Sequence, residues 1–491
     1  MKRAFFIALV LISLFIVASF EPLMGQEWTE PVNVSNQGIH AMNISMTIDE
    51  MGTIHIAWSS KVTDTHWIIN YTQSNDNGTT WSEPLDLLKN TNYWMAQPNI
   101  VSDNRNILYV TYTYDYLSWT ASGRLIKLII YDGHHWGEPI IVSKDMSSSH
   151  YPISAIDHND RIYVFWNFAF TDDSYYRYIQ NNILSEIRCP YPGGNADYFV
   201  NAIVDNRNNI HVVGSSLSIS NPGYEKLEYF NFDYNFNTWI PPLNPIKDTI
   251  SVGMDIALNQ HELPACIYRK MSRSSGVFLD DTTKHLAKNG HDWSNSTIIS
   301  GANGTQNYQQ LIFDQNNDSH VIERQEIENY FGWFHFFKAE QNWTAELIDS
   351  SLYLAFSKLV FYNNNLYFSF GKAWEVEGSI ITDIFFTKYD IVTNQQEHLK
   401  NISELKIFPN PSQGDVCIEF ENSIQQSLNI SIFDINGNQI KTLIDKKMPQ
   451  GQQQVLWDGT KQNGKKVKSG SYLVRLQAGN KTLTQAVEIV R

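Results

Sequence analysis

Residues 49–58 read DEMGTIHIAW, and the pattern returns six times along the chain. The copies are DNRNILYVTY from Asp103, DHNDRIYVFW from Asp157, DNRNNIHVVG from Asp205, NQHELPACIY from Asn259, DQNNDSHVIE from Asp314 and a worn FYNNNLYFSF from Phe361. The steps between them are 54, 54, 48, 54, 55 and 47 residues. Each copy opens on Asp or a substitute, crosses a polar turn and enters an alternating apolar run. A period near fifty, built of short alternating strands, is that of propeller blades and not of helical solenoids.

A second mark keeps the same period. WTEP at Trp28, WSEP at Trp81 and WGEP at Trp136 recur, with looser copies at Trp239, Trp293 and Trp343, and LSEI at Leu184 fills the remaining place. Each unit therefore reads as four strands: an inner one before the Asp-turn, one after it, a third, and an outer one carrying the tryptophan. Seven blades are expected, or six if the unit at Phe361 is not one. The early segment WTEPVNVS (28–35) is an outer strand with no blade before it. It is expected to complete the last blade and so remove the open edge.

The bulk numbers agree. The 491 residues are 13% aromatic and 18% charged, which suits packed strands better than helical bundles or disorder. The net charge is −15, and because residues 401–491 carry +3, residues 1–400 carry −18. An acidic body argues against a nucleic-acid partner. Three widely spaced cysteines, Cys189, Cys266 and Cys417, form neither a disulfide framework nor a metal motif. Cys266 and Cys417 fall in apolar strand patterns and are expected in the core. No spacing calls for a metal or another cofactor. Lys2 and Arg3, the apolar run Phe5–Val17 and the small residues Ala18, Ser19 and Gly25 read as a secretory signal peptide over 1–25. No further segment is apolar enough to span a membrane, so none is expected in the mature chain.

Residues 74–81, SNDNGTTW, place Ser74, Asp76, Gly78, Thr80 and Trp81 in the pattern S-x-D-x-G-x-T-W. This resembles the Asp-box of bacterial neuraminidases and other sialidase-like propellers, over roughly residues 28–395. Short polar side chains bonding to nearby backbone, and a glycine free to adopt positive φ, explain every marked residue as scaffold. The corners at 131–136, 236–239, 289–293 and 340–343 keep the tryptophan and mostly lose the rest. The sialidase resemblance would further imply three arginines clamping a carboxylate, a tyrosine nucleophile with its glutamate, and an aspartate acid/base. None of the seven inner-strand segments contains an arginine. Arg105, Arg161 and Arg207 lie in the Asp-turns, on the rim that also bears the Asp-box.

The opposite rim is the expected ligand side. Its loops offer Trp67, Tyr116, Trp119, Tyr175, Tyr176, Trp333 and Trp374, with Arg269 and Arg324 beside Glu323 and Glu326. Aromatic faces can stack on sugar C–H faces while neighbouring polar groups bond hydroxyls. Carboxylates that could pair for glycoside hydrolysis are plentiful there (Asp172, Asp173, Glu225, Asp280, Asp281, Glu375), but the sequence pairs none of them.

After residues 396–404, a short linker, the pattern changes. Residues 405–491 read as a β-sandwich of about seven strands separated by Asn-Gly and Gly turns. Pro409, Asn410, Pro411 and Gly414, Asp434 with Gly437, Trp457-Asp458-Gly459, Gly470 with Tyr472, and the terminal apolar strand carry a resemblance. They are similar to the type A C-terminal sorting domain of the type IX secretion system of Bacteroidetes. The resemblance implies an immunoglobulin-like fold, Sec export, passage through the type IX machinery, and release or attachment at the cell surface. The chain is thus expected to be an exported all-β protein: signal peptide, propeller over 26–395, linker and sorting domain. Its leading function is non-catalytic binding of an extracellular ligand, a glycan by preference. A degenerate sialidase-like glycoside hydrolase and a protein-binding module are the alternatives.

Overall fold

The computed structural model describes residues 28–391 and 405–490, apart from positions 37, 39, 65, 89–93, 116–122, 144–148, 169–173, 191–196, 218–224, 244–250, 275–276, 291, 302–308, 328–329, 340–341, 352, 377–378, 423–425, 435–437, 450 and 479–480. The expected signal peptide and linker lie outside the described residues. Trp28–Ile391 forms one compact unit. Among its described residues the strands make seven antiparallel sheets, and there is no helix. Sheet 1 runs Ala41–Ile48, Ile54–Lys61, Trp67–Ser74, Leu85–Asp86, in that spatial order. The inner strands of sheets 2 to 7 are Trp94–Ser102, Ser149–Ile156, Asp197–Val204, Ser251–Leu258, Gln309–Phe313 and Tyr353–Tyr362. Each inner strand packs on the next, and the last packs on Ala41–Ile48, so the sheets form a propeller-like ring. Sheet 7 takes its outer strand from the other end of the unit: Val32–Asn33 pairs with Ser379–Asp390, Val32 opposite Phe386, and Trp28 bridges Tyr389.

The repeated aspartate is explained by the turn it closes. Asp49 Oδ1 accepts the amides of Met51 (3.0 Å) and Thr53 (2.8 Å). Asp103, Asp157, Asp205, Asn259 and Asp314 each accept the amides two and four residues on in the same way. The five aspartates are buried beneath largely exposed turns and give these part-buried amides the acceptor that the turn itself lacks. The seventh unit lacks the aspartate because its hairpin is shorter. Tyr362 pairs with Asn365, and both residues between them, Asn363 and Asn364, have positive φ, as a two-residue type I′ turn requires. Neighbouring turns are also linked. The amides of Glu50, His158, Asn206 and Gln260 donate to the side chains of Asn106, Asn208, Glu262 and Asn317 of the following unit.

The repeated tryptophan works between sheets. Trp136 packs edge-on against Tyr71 of the preceding sheet, Trp239 against Tyr176, Trp293 against Tyr229, and Trp343 against His285. Trp28 meets His335, and Trp81 meets Phe386 of sheet 7. Sheet 3, whose outer strand carries Leu184, uses an aliphatic contact in the same place. Each outer strand is thus fastened to the sheet before it, all the way round.

The 74–81 corner is a special case of this fastening. Ser74 Oγ donates to Asp76 Oδ1 (2.8 Å), Thr80 N donates to the same oxygen (2.8 Å), and Gly78 N donates to Ser74 Oγ (3.0 Å). The Thr80 hydroxyl and amide and the Ser74 hydroxyl hold the Asp76 carboxyl down at about 2. Gly78 has φ +83° and lies so close to Phe386 that a Cβ would meet its ring at 2.2 Å. The Tyr367 hydroxyl donates to Asn77 Oδ1 from the same neighbouring sheet. The corner therefore seats sheet 1 on sheet 7, at the joint where the ring closes.

The C-terminal described residues form two antiparallel sheets around one core that contains Phe420, Trp457 and Val474. Lys406–Phe408, Val416–Asn422 and Gly451–Trp457 make one sheet; Gln439–Met448, Gln426–Asp434, Gly470–Ala478 and Lys481–Ile489 make the other. Cys266 is buried in the propeller-like unit, whereas Cys417 faces outward because Val416 and Ile418 take the two inward positions beside it. That corrects the expectation of a core thiol at 417.

Candidate functional site

In antiparallel four-strand sheets the Asp-turns and the 74–81 corner share one rim, and the starts of the inner strands lie at the other. At that second rim a cavity of about 410 Å³ opens among the inner strands. Asn43, Gln97, Tyr151, Phe199, Val200 and Phe356 are among the residues that line it, contributed by sheets 1, 2, 3, 4 and 7. Asn43, Gln97 and Tyr151 each stand six residues before their unit's aspartate. The inner strands bulge there: pairing slips between Met42 and Ser45, Ala96 and Asn99, His150 and Ile153, and Ala355 and Ser357. A bulge breaks the alternation and re-aims one side chain.

The polar groups of the cavity are held from behind. Gln97 Oε1 accepts the Thr113 hydroxyl (2.8 Å) and the Tyr151 amide (3.1 Å). Asn167 accepts Phe199 N (2.9 Å) and donates to Phe199 O (3.1 Å), which fixes that residue's backbone. One layer farther in, side chains bridge adjacent inner strands. Ser45 Oγ accepts Ile100 N, Asn99 Oδ1 accepts Ser154 N, and Asp255 Oδ2 accepts Leu311 N. Burial pushes the Asp255 carboxyl up, against the pull of Lys358 and of its donors Leu311, Asn201 and Ile256. Of those donors, Asn201 and Leu311 tie it to the strands on either side, so it is a strut of the ring.

The residues expected on the ligand rim fall in several places. Tyr116 and Trp119 lie outside the described residues. Trp67, Tyr176 and Trp333 are buried in strand cores, Trp333 at 0% exposure. The hairpins run on farther than the sequence suggested: Trp67 pairs with Lys61, Tyr176 with Phe165, and Trp333 with Arg324. Their rings are packed and closed to a ligand. Tyr175 and Trp374 are half-buried, Tyr175 against Trp166 and Phe168, Trp374 against Phe385. Arg269 and Arg324 are buried, at 2% and 5% exposure, and Arg324 lies over the Phe331 ring at 4.5 Å. Glu323 is also buried, accepting the hydroxyls of Thr283 and Ser300 (both 2.6 Å) and the Gln309 amide (3.2 Å). Of those that are described, none lines the cavity. The sequence reading missed those that do, although Asn43, Gln97 and Tyr151 recur at the step of the Asp-turns.

In the C-terminal unit the motif residues hold backbone. Asn410 donates to Ala486 O (3.0 Å) and accepts Glu488 N (2.9 Å), so the Pro409–Pro411 segment is tied to the last strand. Asp434 accepts Asn438 N, Asp458 accepts Thr460 and Lys441, and Trp457 Nε1 donates to Thr460 O. The Tyr472 hydroxyl donates to Lys468 O while its ring meets Trp457 edge-on. Gly414, Gly459 and Gly470 all take positive φ, and Gly437 lies outside the described residues.

No curated protein matches the chain in sequence. Among solved structures, a polysaccharide lyase of family PL25, an ulvan lyase, superposes with a TM-score of 0.51 at 10% identity, covering 73% of this chain and 93% of its own. The polysaccharide lyase Uly1 gives 0.50 at 9% identity, over 74% and 92%. A fungal alcohol oxidase of family AA5 gives 0.50 at 10% identity, over 95% and 100%. At such identities these likenesses concern the fold alone. Residues 406–490 match the secretion system C-terminal sorting domain. That domain engages the type IX secretion machinery, and it marks this protein for export by type IX secretion to the cell surface or beyond.

Proposed function

We propose that the ring is a seven-bladed propeller whose axial mouth binds an extracellular glycan without cleaving it. The mouth is the 410 Å³ cavity, and the observation that carries the reading is its lining: aromatic, aliphatic and amide side chains, with no carboxylate among the described residues that line it. Glycoside hydrolysis needs two carboxyl groups facing each other across the bond, roughly 5–10 Å apart. Sugar binding needs only an apolar face and hydrogen-bonding groups, and Tyr151, Phe356, Asn43 and Gln97 provide these. On this reading the 74–81 corner is an Asp-box kept for the joint and not for chemistry. Residues 1–25 are a signal peptide, 26–395 the propeller, 396–404 a linker, and 405–491 an immunoglobulin-like sorting domain.

The test is a glycan array probed with the mature full chain, followed by chromatography of any ligand found. Binding with the glycan recovered intact is the expected result. Release of shorter products would favour the hydrolase, and an array with no hit would favour a protein partner.

A further inference from the structure

We infer that the mouth is built for an uncharged sugar unit, with the Tyr151 ring as stacking platform and Gln97 Nε2 as the donor that reads a hydroxyl. The inference rests on the glycan-binding reading and narrows it.

The first ground is the backbone. Asn43, Gln97, Tyr151 and Phe356 have φ of 57°, 58°, 53° and 54°. Asparagine tolerates this region; glutamine, tyrosine and phenylalanine do so at a cost of about 1 kcal/mol or more each. Four inner strands hold the strain at the same level of the ring, and at all four the side chain lines the one cavity. Such strain persists where the surroundings over-determine it, and ligand clamps are a common place for it.

The second ground is hydrogen-bond capacity. Both lone-pair directions of Gln97 Oε1 are taken, by Thr113 and by the Tyr151 amide. The carbonyl end is thereby fixed, and the NH₂ end, which has no partner among the described residues, is left to the cavity. The side-chain amide of Asn43 also has no partner among the described residues, so it offers one donor group and one acceptor. Tyr151 is 54% exposed although it sits on an inner strand, and His150 braces its ring edge-on at 5.0 Å. An open ring face beside amide donors suits a pyranose, which carries an apolar C–H face and a rim of hydroxyls. The volume is in the range of small-ligand sites, about 300–1,000 Å³.

The third ground is charge. No Lys, Arg or His is among the described residues lining the cavity, and residues 1–400 carry −18. A uronate, sulfate or sialate entering the mouth would lose hydration without meeting a cation. A neutral unit loses nothing of that kind.

The experiment measures binding of the mature full chain, by calorimetry, to neutral hexaoses (xylo-, manno- and cello-) and to charged oligosaccharides (oligogalacturonate, 3′-sialyllactose and a sulfated rhamnose–glucuronate oligomer). Two variants accompany it. Tyr151→Asn removes the ring with a residue that tolerates the positive φ. Gln97→Glu keeps the acceptor for Thr113 and Tyr151 and removes the NH₂. The expected result is binding of at least one neutral hexaose, weakened tenfold or more by each variant, with the melting temperature held. Binding of charged oligomers alone would overturn the inference and leave the glycan reading standing. Neutral binding unmoved by both variants would overturn the assignment to this mouth. Failure of every glycan would overturn the glycan reading itself.

Discussion

Asp49, Asp103, Asp157, Asp205 and Asp314 each use one carboxylate oxygen for the turn and turn the other toward the residue six places on. That residue is His55, Tyr109, Tyr163, His211 or His320, whose polar atom lies 3.2–3.7 Å away. Where the carboxylate is absent, at Asn259, the sixth residue is Ala265. The second oxygen, not the turn, therefore dictates the His or Tyr. Asp205→Ala is expected to cost about 3 kcal/mol in urea unfolding, from two amides left without an acceptor and a buried His211 whose Nε2 loses its partner while Nδ1 keeps Tyr229. Asn259→Ala is expected to cost less, and a smaller loss at Asp205 would break the argument. Burial alone would raise the Asp205 pKa, but bonds from His211 and Asn209 outweigh it and bring it to about 2. A lowered carboxyl contributes stability that is present above its unfolded value of 3.8 and lost as pH falls toward 2, here on the order of 2 kcal/mol. Asp205→Asn should flatten that part of the profile. Glu346 has the opposite sign. Burial raises it to about 7, against the Trp28 indole N–H, which donates to it at 3.1 Å. Its contribution is complete below pH 4.5 and is lost as pH rises through 7. Glu346→Gln should remove that decline, and a stability profile that still falls between pH 5 and 7 would assign it elsewhere.

At the scale of the element, the corner 74–81 shows why one copy of a repeated hairpin keeps every marked residue while the others erode. Gly78 needs its positive φ and also its missing Cβ, because Phe386 stands at 2.2 Å from where that atom would be. Gly133, in the corresponding corner of the next unit, has φ +95° and nothing within 4 Å. Gly78→Ala is thus expected to cost 3 kcal/mol or more, and Gly133→Ala only the backbone term of about 1 kcal/mol. Equal losses in paired thermal melts would show that Phe386 yields easily and that the joint is not what preserves the motif. The turns and the tryptophans were legible in the sequence because each satisfies a local or nearest-neighbour demand at fixed spacing. The extent of the hairpins was not. Lys61 and Trp67 flank what reads as a loop, yet they pair with each other. Polar residues at a strand end look the same as loop residues until the partner strand is known, so the sequence places Trp67, Tyr176 and Trp333 in open loops although they are packed.

At the scale of the whole molecule, the mouth exists only because the ring closes, and closure depends on a segment about 350 residues away in sequence from its partner. The recurrence of Asn43, Gln97 and Tyr151 at one step was visible, but which way a bulged side chain points is a property of the assembled ring. The N-terminal segment fastens this joint at several points. Val32–Asn33 pairs with sheet 7, Trp28 packs on His335 and Tyr389 while donating to Glu346, and Ser35 Oγ donates to Asp383 at 2.7 Å. Removing them would leave Ser379–Asp390 as an exposed edge, and exposed edges recruit other chains. Export imposes the same requirement from outside, since processing of the N-terminus must spare Trp28. On the proposed signal-peptide reading, cleavage after Ser19 or Gly25 would satisfy this and give a mature chain that begins at Phe20 or Gln26. N-terminal sequencing of the secreted protein should find one of these two starts, and a start beyond Val34 would refute the closure argument. A chain begun at Gln37 should aggregate or melt well below the full mature protein and should lose ligand binding, although no residue lining the mouth has been touched. If it instead remained monomeric and kept any ligand binding of the full mature protein, the ring would not depend on its N-terminal strand.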